Sequence, residues 1–534
     1  MSVLNIFRST WCQSALIFTF FFSYYFLSIS KDFTEVDGPF RCFEVYHSPQ
    51  PQIHGNNHLL YPINIYLWNQ TLSIVISPPV DALEFGKRSQ IMNITAMSAT
   101  MALFYALAKN ISGILYLAVL ATLGLGLSKA YILHGTNSAE PVMGLLWSTL
   151  TIALLAWGLC DNKKQPYIVF LAGIFLALAM ATYQTMVLIG VGCLSLSSIK
   201  REENNLKFSI KFGLIFLAGC AFGALVFFGS AYYYDGLLNP IDMVKRFFHL
   251  DGGGNVYGGF SFSKSINLFM GFILNQFITP QWTGYRDYLK KNLWGYWTPW
   301  MVCVGIAGII FLFCVAKGFL QSKKISKSIK LSIVFALLVC LVGPLGWEPT
   351  YDKMWLQPLM LIWLITLYSW KSQGNFSRFL IHTVVLLTIM PNFFWGYFRN
   401  PKEYKYVRPA LELIEVLNPN DILVTDWNPI TIMALCLNTR TECFGMISYA
   451  HSNPLGTVAK LESLLSKASS QDGRLIFCGI LDQTHEIWDP FLGNRCGLPF
   501  YSLESFRKSK ILIDQFKDGK NFLNVYAIGP TMEP

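Results

Sequence analysis

The strongest constraint on the fold of this chain is a series of apolar segments, each about as long as a lipid bilayer is thick. A membrane-spanning α-helix needs about 20 apolar residues, because the helix rises about 1.5 Å per residue. The candidate segments are 14–30, 91–108, 112–133, 141–160, 167–181, 184–199, 209–230, 298–317, 331–346, 354–370 and 379–397. They predict a polytopic α-helical membrane protein with about eleven transmembrane helices.

Two parts of this series leave an alternative open. The segments that meet at Thr182–Gln184 are short, and one long tilted helix could replace them. The apolar segment 267–279 is too short to span the bilayer comfortably, so we expect it to lie at the membrane interface.

Composition agrees with a lipid environment and argues against a nucleic-acid partner. Of the 534 residues, 53% are hydrophobic and 13% are charged, whereas soluble chains carry roughly 25% charged residues. The net charge is +10, but the basic residues form short clusters between apolar segments, as the positive-inside rule describes. We therefore expect membrane lipids, and no nucleic acid, as partners.

The basic clusters also orient the chain. Lys163–Lys164, Lys200–Arg201 and Lys323–Lys324 fall on one side of the predicted spans, which the positive-inside rule makes cytoplasmic. Two long loops, 31–90 and 231–297, then lie on the outer side, and their aromatic content suits the membrane interface. Loops of this length are usually functional or disordered.

The last part of the chain changes character. Strand-like runs such as "DILVTDW" and "GRLIFCGIL" alternate there with helical patterns such as "VRPALELIEVLN". This alternation predicts a small α/β domain over 399–534, following a transmembrane domain over 1–398. An odd number of spans places this C-terminal domain on the extracytoplasmic side.

The first outer loop carries the densest set of titratable groups, in "KDFTEVDGPFRCFEVYHSPQPQIHGNNHLLYP". Glu35, Asp37 and Glu44 are candidates for a catalytic base, because a carboxylate near low-dielectric surroundings has a raised pKa. Gly38 and Pro39 predict a turn that fixes the direction of Asp37. The alternative is that these acids are solvated loop charges.

Histidines follow the acids in the same loop. His54 and His58 are four residues apart, a spacing that could bind a metal on a helix. The intervening Gly and two Asn are poor helix formers. We therefore predict no metal site and expect these histidines to hydrogen-bond a phosphate or a sugar hydroxyl, next to an interfacial helix at "LLYPINIYLW".

Two further outer segments combine charges with aromatic residues. In "SKAYILHGTNSAEP", Lys129 opposes the positive-inside trend, which suggests an anionic partner, and Glu140 suits either a site or the start of a helix. In "GWEPTYDKMWLQPL", Lys353 could neutralise a lipid phosphate. It could equally pair with Asp352 or with lipid headgroups.

These three loops, the span plan and the outer C-terminal domain together resemble the GT-C superfamily of membrane glycosyltransferases. The nearest patterns are those of the protein O-mannosyltransferases and the lipid-A aminoarabinose transferase. The resemblance rests on an acid soon after the first span, on "HGNNHLLYP" and on "DKMWLQP". The mannosyltransferases carry a paired Asp-Glu in the first loop, whereas this chain has "EVD", so the choice among Glu35, Asp37 and Glu44 stays open.

The resemblance implies an inverting transfer of a sugar from a polyprenyl-phosphate donor to a glycan, lipid or protein acceptor. It implies Asp37 as the base and Lys353 as the phosphate partner, with Arg41 or Lys129 as a second positive charge. The residues expected to bind donor phosphate or sugar are Lys353, His54, His58, Tyr61, Arg41, Lys129, Glu140 and Tyr351. No metal and no other cofactor is expected, and the membrane would be a bacterial inner membrane or, alternatively, the endoplasmic reticulum.

Two other classes of membrane protein share such spans. A lipid-linked sugar flippase or transporter would carry charges within its spans and signs of internal duplication, and neither is evident in the sequence. An O-antigen ligase or polymerase usually relies on arginines in a large outer loop. Here Arg41, Arg246 and Arg286 are few and dispersed.

Overall fold

The protein is described by a computed structural model of a helical bundle followed by a small α/β unit. The residues that the structure describes are 3–29, 42, 45–46, 60–160, 165–202, 205–235, 262–278, 298–322, 327–346, 351–370, 373–398, 406–425, 429–437, 442–446, 449–450, 453–484, 497–518 and 521–529.

The bundle consists of apolar helices of very different lengths. They are α1 (Val3–Leu27), α2 (Leu60–Val75), α3 (Ala82–Ser112), α4 (Leu115–Gly126), α5 (Lys129–Gly135), α6 (Pro141–Cys160), α7 (Pro166–Thr182), α8 (Val187–Ser197), α9 (Ile210–Asp235), α10 (Phe262–Gln276), α11 (Thr298–Gln321), α12 (Lys327–Gly346), α13 (Leu356–Trp370) and α14 (Asn375–Phe398). A hairpin of β1 (Ile199–Glu202) and β2 (Asn205–Phe208) joins α8 to α9, and a 3₁₀ turn, Asp352–Trp355, leads into α13.

The helices confirm a multi-pass helical membrane protein. Among the described residues, five helices are long and apolar enough to cross a membrane, or six if the bent pair α4 and α5 is one span. Every apolar segment predicted from the sequence overlaps a described helix. The total of about eleven crossings stays a prediction, because several of these helices are shorter than a bilayer requires.

The third predicted span, 112–133, is not a continuous helix. Its two parts, α4 and α5, meet at an angle of 67°. Such a break leaves backbone carbonyls without helical partners, which is costly in an apolar bundle unless other groups bond them. Three side chains from other helices do so: Gln276 Nε2 bonds Gly124 O at 3.0 Å, Tyr25 OH bonds Gly126 O at 2.6 Å, and Asn392 Nδ2 bonds Leu127 O at 2.8 Å.

Close packing at this break depends on glycines, because a Cβ on Gly126 would meet the Phe21 ring and one on Gly124 the Trp363 ring. A Cβ on Gly124 would lie 2.2 Å from the Trp363 ring, so only glycine allows α4 to approach α13 this closely. The Trp363 indole in turn donates from Nε1 to Gln276 Oε1 at 3.2 Å.

Segment 267–279 differs from its prediction as an interfacial segment. Its described residues, 267–278, are the C-terminal part of α10 and the two residues after it, and Phe272, Ile273 and Gln276 are almost fully buried within the bundle. This helix is buried because its polar end has partners inside the bundle. Gln276 hydrogen-bonds to Gly124 O at the α4–α5 break. At Thr182–Gln184 the structure has two helices rather than one, since Tyr183 adopts an extended backbone.

The C-terminal part is a mixed sheet with helices on both faces, which confirms the predicted small α/β unit. Its strands are β3 (Ile422–Thr425), β4 (Glu442–Gly445), β5 (Leu475–Cys478), β6 (Ile511–Asp518) and β7 (Asn521–Ile528), and its helices are α15 (Val407–Val416), α16 (Pro429–Leu437), α17 (Thr457–Ser469) and α18 (Glu504–Lys508). The strand order is β4-β3-β5-β7-β6, with β4, β3 and β5 parallel and β7 antiparallel to both of its neighbours.

An apolar layer joins this unit to the bundle. Leu413 of α15 and Met433 of α16 pack on one face of the sheet, and the same cluster contains Ala82, the first residue of α3. The sheet therefore lies at the end of the bundle where α3 begins. The boundary between domains at residues 398 and 399 stays a prediction.

An ion pair ties the starts of the two central strands together. Asp421 precedes β3 and Arg474 precedes β5, and the pair is held by Nη2···Oδ2 at 2.7 Å and by Nε···Oδ1 at 3.2 Å. The Arg474 backbone N–H also donates to Asp421 Oδ1 at 2.8 Å, and the Asn418 N–H donates to Oδ2 at 2.9 Å. Both oxygens of this buried carboxylate are thus fully used.

Candidate functional site

Two segments that are far apart in sequence meet near the end of the bundle that carries the sheet. One is α5 with the turn that leads to α6, and the other is the 3₁₀ turn Asp352–Trp355. The Tyr131 hydroxyl of α5 donates to Leu356 O at 2.8 Å, which fixes the two segments side by side. Their charged residues are consequently brought into one cluster.

The innermost members of this cluster are Lys353 and Glu140. Lys353 Nζ lies 3.5 Å from Glu140 Oε2, and the side chains are only 4% and 1% exposed. Burying an isolated charge costs several kcal/mol, so an opposite charge is needed at such a position. The 3.5 Å separation is longer than the about 2.7–2.9 Å of a tight charge-assisted hydrogen bond.

A second pair lies beside the first. His134 Nε2 is 3.3 Å from Asp352 Oδ1, with the imidazole fully buried and the carboxylate 28% exposed. The Lys353 backbone N–H also donates to Asp352 Oδ1, at 2.9 Å. Burial raises the pKa of Asp352, but His134, Lys353 and Lys129 outweigh it and lower that pKa from its ordinary 3.8 to about 2. Asp352 is therefore a carboxylate throughout the physiological pH range.

The turn that carries Glu140 is hydrogen-bonded to α3. The amide of Asn93, eleven residues into that helix, donates to Asn137 O at 3.0 Å and to Ala139 O at 2.8 Å. The Tyr61 hydroxyl lies 3.1 Å from Ser138 Oγ. Each of these groups is buried, so the turn has little freedom to move Glu140 away from Lys353.

The first outer loop contacts this same turn through Cys42. Its Sγ lies 2.9 Å from Ser138 Oγ, and the residue is fully buried. Burial raises the pKa of the Cys42 thiol to about 11, with the charge of Glu140 contributing. The thiol is consequently neutral, and the loop is anchored close to Glu140.

The structure brings together several of the residues predicted from the sequence. Lys353 and Glu140 are in contact, Lys129 is near enough to Asp352 to affect its pKa, and Lys353 Nζ is 5.9 Å from the centre of the Tyr351 ring. Tyr61 is fully buried, with its hydroxyl in contact with Ser138, and its place in the donor pocket stays a prediction.

The remaining predicted site residues lie outside the described part of the chain. They are Asp37, Glu35, Glu44, Arg41, His54 and His58. Their roles stay predictions. Within the described residues, no group of three or more His, Cys, Asp or Glu is arranged to hold a metal ion.

Sequence reasoning did not select His134, Asn93 or Ser138. His134 stands in "ILHGTNSAEP", where a single histidine in an apolar stretch gives no signal of its own. Asn93 lies in an apolar helix, and a polar residue there is a pointer to buried hydrogen bonding. The groups that His134 and Asn93 contact could not be identified without the fold.

Comparison with known proteins gives a likeness of fold. No family model matches the sequence, and no curated protein matches it significantly. The crystal structure of ArnT from Cupriavidus metallidurans bound to undecaprenyl phosphate is similar, with a TM-score of 0.56 at 9% identity, covering 99% of this chain and 100% of the other.

A second similar structure is the archaeal oligosaccharyltransferase AglB from Archaeoglobus fulgidus, in complex with an inhibitory peptide and a dolichol-phosphate. Its TM-score is 0.53 at 8% identity, covering 97% of this chain and 74% of the other. Both comparisons show a likeness of fold, which supports the resemblance drawn above from the loops as far as the fold is concerned.

Proposed function

We propose that this chain is an inverting glycosyltransferase that moves a sugar from a polyprenyl-phosphate donor to an acceptor. The observation that carries the proposal is the cluster of Lys353, Glu140, Asp352 and Lys129 within this fold, in which Lys353 and Glu140 are buried. The two similar structures hold undecaprenyl phosphate and dolichol-phosphate, both of which are lipid carriers with a phosphate headgroup.

Lys353 is the proposed ligand of the donor phosphate. Its ammonium carries three donor hydrogens, and Glu140 stands at 3.5 Å rather than in tight contact. An arriving phosphate, with its higher charge, competes favourably for this cation. Lys129, which is close enough to Asp352 to lower its pKa, adds positive charge to the same site.

Asp37 is the proposed base, with Glu35 and Glu44 as alternatives. In the first outer loop, Cys42 contacts the turn that carries Glu140. Asp37 is five residues from Cys42 in the sequence, and a chain of that length spans at most about 18 Å. Arg41, His54 and His58 of the same loop are proposed to complete the donor pocket.

The proposed reaction needs one base and one phosphate ligand. The carboxylate takes the proton of the acceptor hydroxyl or amine, whose lone pair forms a bond to the anomeric carbon. The bond from that carbon to the phosphate oxygen breaks on the opposite face, so the configuration inverts. The polyprenyl phosphate leaves with the electron pair, and Lys353 stabilises its developing charge.

The proposed topology follows the charge distribution of the sequence. About eleven crossings put the cluster and the C-terminal unit, 399–534, on the extracytoplasmic side of 1–398. A bacterial inner membrane is the proposed location, with the endoplasmic reticulum as the alternative. The acceptor is a glycan, a lipid or a protein, and lipids surround the bundle.

The test is sugar transfer by purified protein from a radiolabelled polyprenyl-phosphate sugar. We expect Asp37→Asn and Lys353→Ala each to lower turnover by about 100-fold, because each removes a group that acts in the transition state. Both variants should purify as folded proteins, although Lys353→Ala should melt at a lower temperature because it leaves the buried Glu140 without its cation. Full activity of Asp37→Asn would transfer the role of base to Glu35 or Glu44, and full activity of Lys353→Ala would refute the phosphate site. Movement of the intact donor across a vesicle membrane without transfer would favour a flippase.

A further inference from the structure

One member of the cluster differs from the others in its exposure. Lys353, Glu140 and His134 are buried, whereas the Asp352 side chain is 28% exposed. Asp352 is therefore the most accessible of these four side chains to a ligand that enters from solvent. Phosphate binding does not explain a carboxylate there, because like charges repel.

Asp352 is also unsuited to proton transfer. Its pKa of about 2 is far below neutral pH, and a general base works best when its pKa is near the operating pH. What an ionised carboxylate does well is accept hydrogen bonds from hydroxyl groups. Sugar hydroxyls are donors of this kind.

Position along the chain supports the same role. Asp352 directly precedes Lys353, and consecutive Cα atoms are about 3.8 Å apart. In a carrier-linked sugar, the ring is bonded directly to the phosphate. A residue adjacent to the phosphate ligand is therefore placed to meet the ring.

His134 is the buried neighbour of this carboxylate. The imidazole is fully buried, so it does not reach a substrate from solvent, and its Nε2 lies 3.3 Å from Asp352 Oδ1. The Lys353 N–H holds the same oxygen at 2.9 Å. Both contacts are made to Oδ1, so we assign the ligand contact to Oδ2.

We propose that Asp352 binds a hydroxyl group of the carrier-linked sugar, and that the buried His134 is the positioning residue that aims it. This inference rests on the proposed glycosyltransferase function and adds the sugar contact to it. It predicts that recognition of the sugar and recognition of the carrier phosphate can be separated by substitution.

The experiment is ligand binding to the full chain in lipid nanodiscs. The probes are undecaprenyl phosphate alone and undecaprenyl phosphate bearing glucose, galactose or mannose, of which the tightest ligand is used. For Asp352→Asn we expect about tenfold weaker binding of the sugar-bearing probe and less than a twofold change for bare undecaprenyl phosphate. Lys353→Ala should weaken both probes alike. Glu412→Gln, in the exposed pair with Arg408, is the matched control for loss of one carboxylate and should change neither.

The role of His134 is tested by a double substitution. His134→Gln should weaken only the sugar-bearing probe, and Asp352→Asn combined with His134→Gln should be no worse than Asp352→Asn alone. Asp352→Glu, which keeps the carboxylate, should recover part of the preference for the sugar-bearing probe over bare undecaprenyl phosphate.

Three outcomes would overturn the inference: equal weakening of both probes by Asp352→Asn, no weakening at all, or a parent protein that binds no sugar-bearing probe better than the bare carrier. A parent protein that binds none of the probes would refute the proposed function as well.

Discussion

The two regions of this protein each contain an ion pair with a buried carboxylate, and the pairs are built differently. In the C-terminal sheet, Arg474 and Asp421 are joined by contacts of 2.7 and 3.2 Å, and two backbone N–H groups complete the carboxylate. In the helical bundle, Lys353 and Glu140 are separated by 3.5 Å.

This difference distinguishes a structural ion pair, Arg474–Asp421, from a pair whose cation, Lys353, is suited to leaving its carboxylate and binding another anion. Guanidinium and carboxylate match each other in two parallel hydrogen bonds, so the Arg474 pair is rigid and specific. An ammonium is a compact charge with rotatable donors, and it can turn to a new anion at small cost. The bundle thus uses lysine where an anionic substrate is proposed to arrive, whereas the sheet uses arginine where nothing needs to move.

The largest expected contrast comes from removing each cation in turn. Arg474→Met should lower the free energy of unfolding by about 3 kcal/mol, because it leaves a buried carboxylate without its partner. Turnover of the folded enzyme should stay within a factor of about two, since the cluster is untouched. Lys353→Met should also lower stability, because it leaves Glu140 without its partner, but of the two variants it alone should lose turnover. The measurements are urea denaturation in detergent and sugar transfer below the melting range.

The control for the Arg474→Met and Lys353→Met variants is Arg408→Met. Arg408 pairs with Glu412 at 2.9 Å on an exposed helix face, and such surface pairs contribute at most about 1 kcal/mol. If Arg474→Met and Lys353→Met had the same effects on stability and turnover, the distinction between the two pairs would fail.

A smaller effect is expected at the support of the cluster. Asn392 donates to Leu127 O and Gln276 O, both at 2.8 Å, and accepts from the Ile278 N–H at 2.7 Å. Asn392→Leu should destabilise the bundle by about 2 kcal/mol, because these buried groups lose their partner. Turnover should fall about tenfold, since a misplaced group near the reacting atoms is costly and α5 carries Lys129.

Thermal melting and sugar transfer measure these two consequences of Asn392→Leu. Met390→Leu, on the exposed face of the same helix, is the control and should change neither. A stable, fully active Asn392→Leu protein would show that the α4–α5 break does not position the cluster.

The smallest effect concerns pH. The pKa of Asp352 is lowered to about 2, so this group stays ionised from pH 5 to 8, and its stabilising effect is lost only as the pH falls from about 4 toward 2. The turnover of Asp352→Asn should therefore be reduced by the same factor at every pH from 5 to 8. Loss of the acidic limb of the pH profile in this variant would instead identify Asp352 as a titrating catalytic group.

Much of the helical fold could be predicted from the sequence, because span length and charge asymmetry are local properties. The break between α4 and α5 could not, since the groups that stabilise it, Gln276 and Asn392, lie far along the chain. For α10, apolar composition does not distinguish burial in protein from burial in lipid. The polar pair Asn275 and Gln276 at its end was the available signal.

The site could be predicted only in part. Lys129 was noticed because its charge opposes the positive-inside trend, and Lys353 because it is the basic residue of a short outer segment. The contact of Lys353 with Glu140, across 213 positions, follows from packing and leaves no local pattern. The same holds for His134 and Asp352, whose pairing depends on the 67° bend that directs α5.

The most direct test of a phosphate site at Lys353 is an experimental structure of the full chain in nanodiscs with bound undecaprenyl phosphate. We predict the phosphate within hydrogen-bonding distance of Lys353 Nζ, with Glu140 displaced from its 3.5 Å separation and the Arg474–Asp421 pair unchanged. A phosphate bound at the opposite end of the bundle, with Lys353 still facing Glu140, would contradict the proposal.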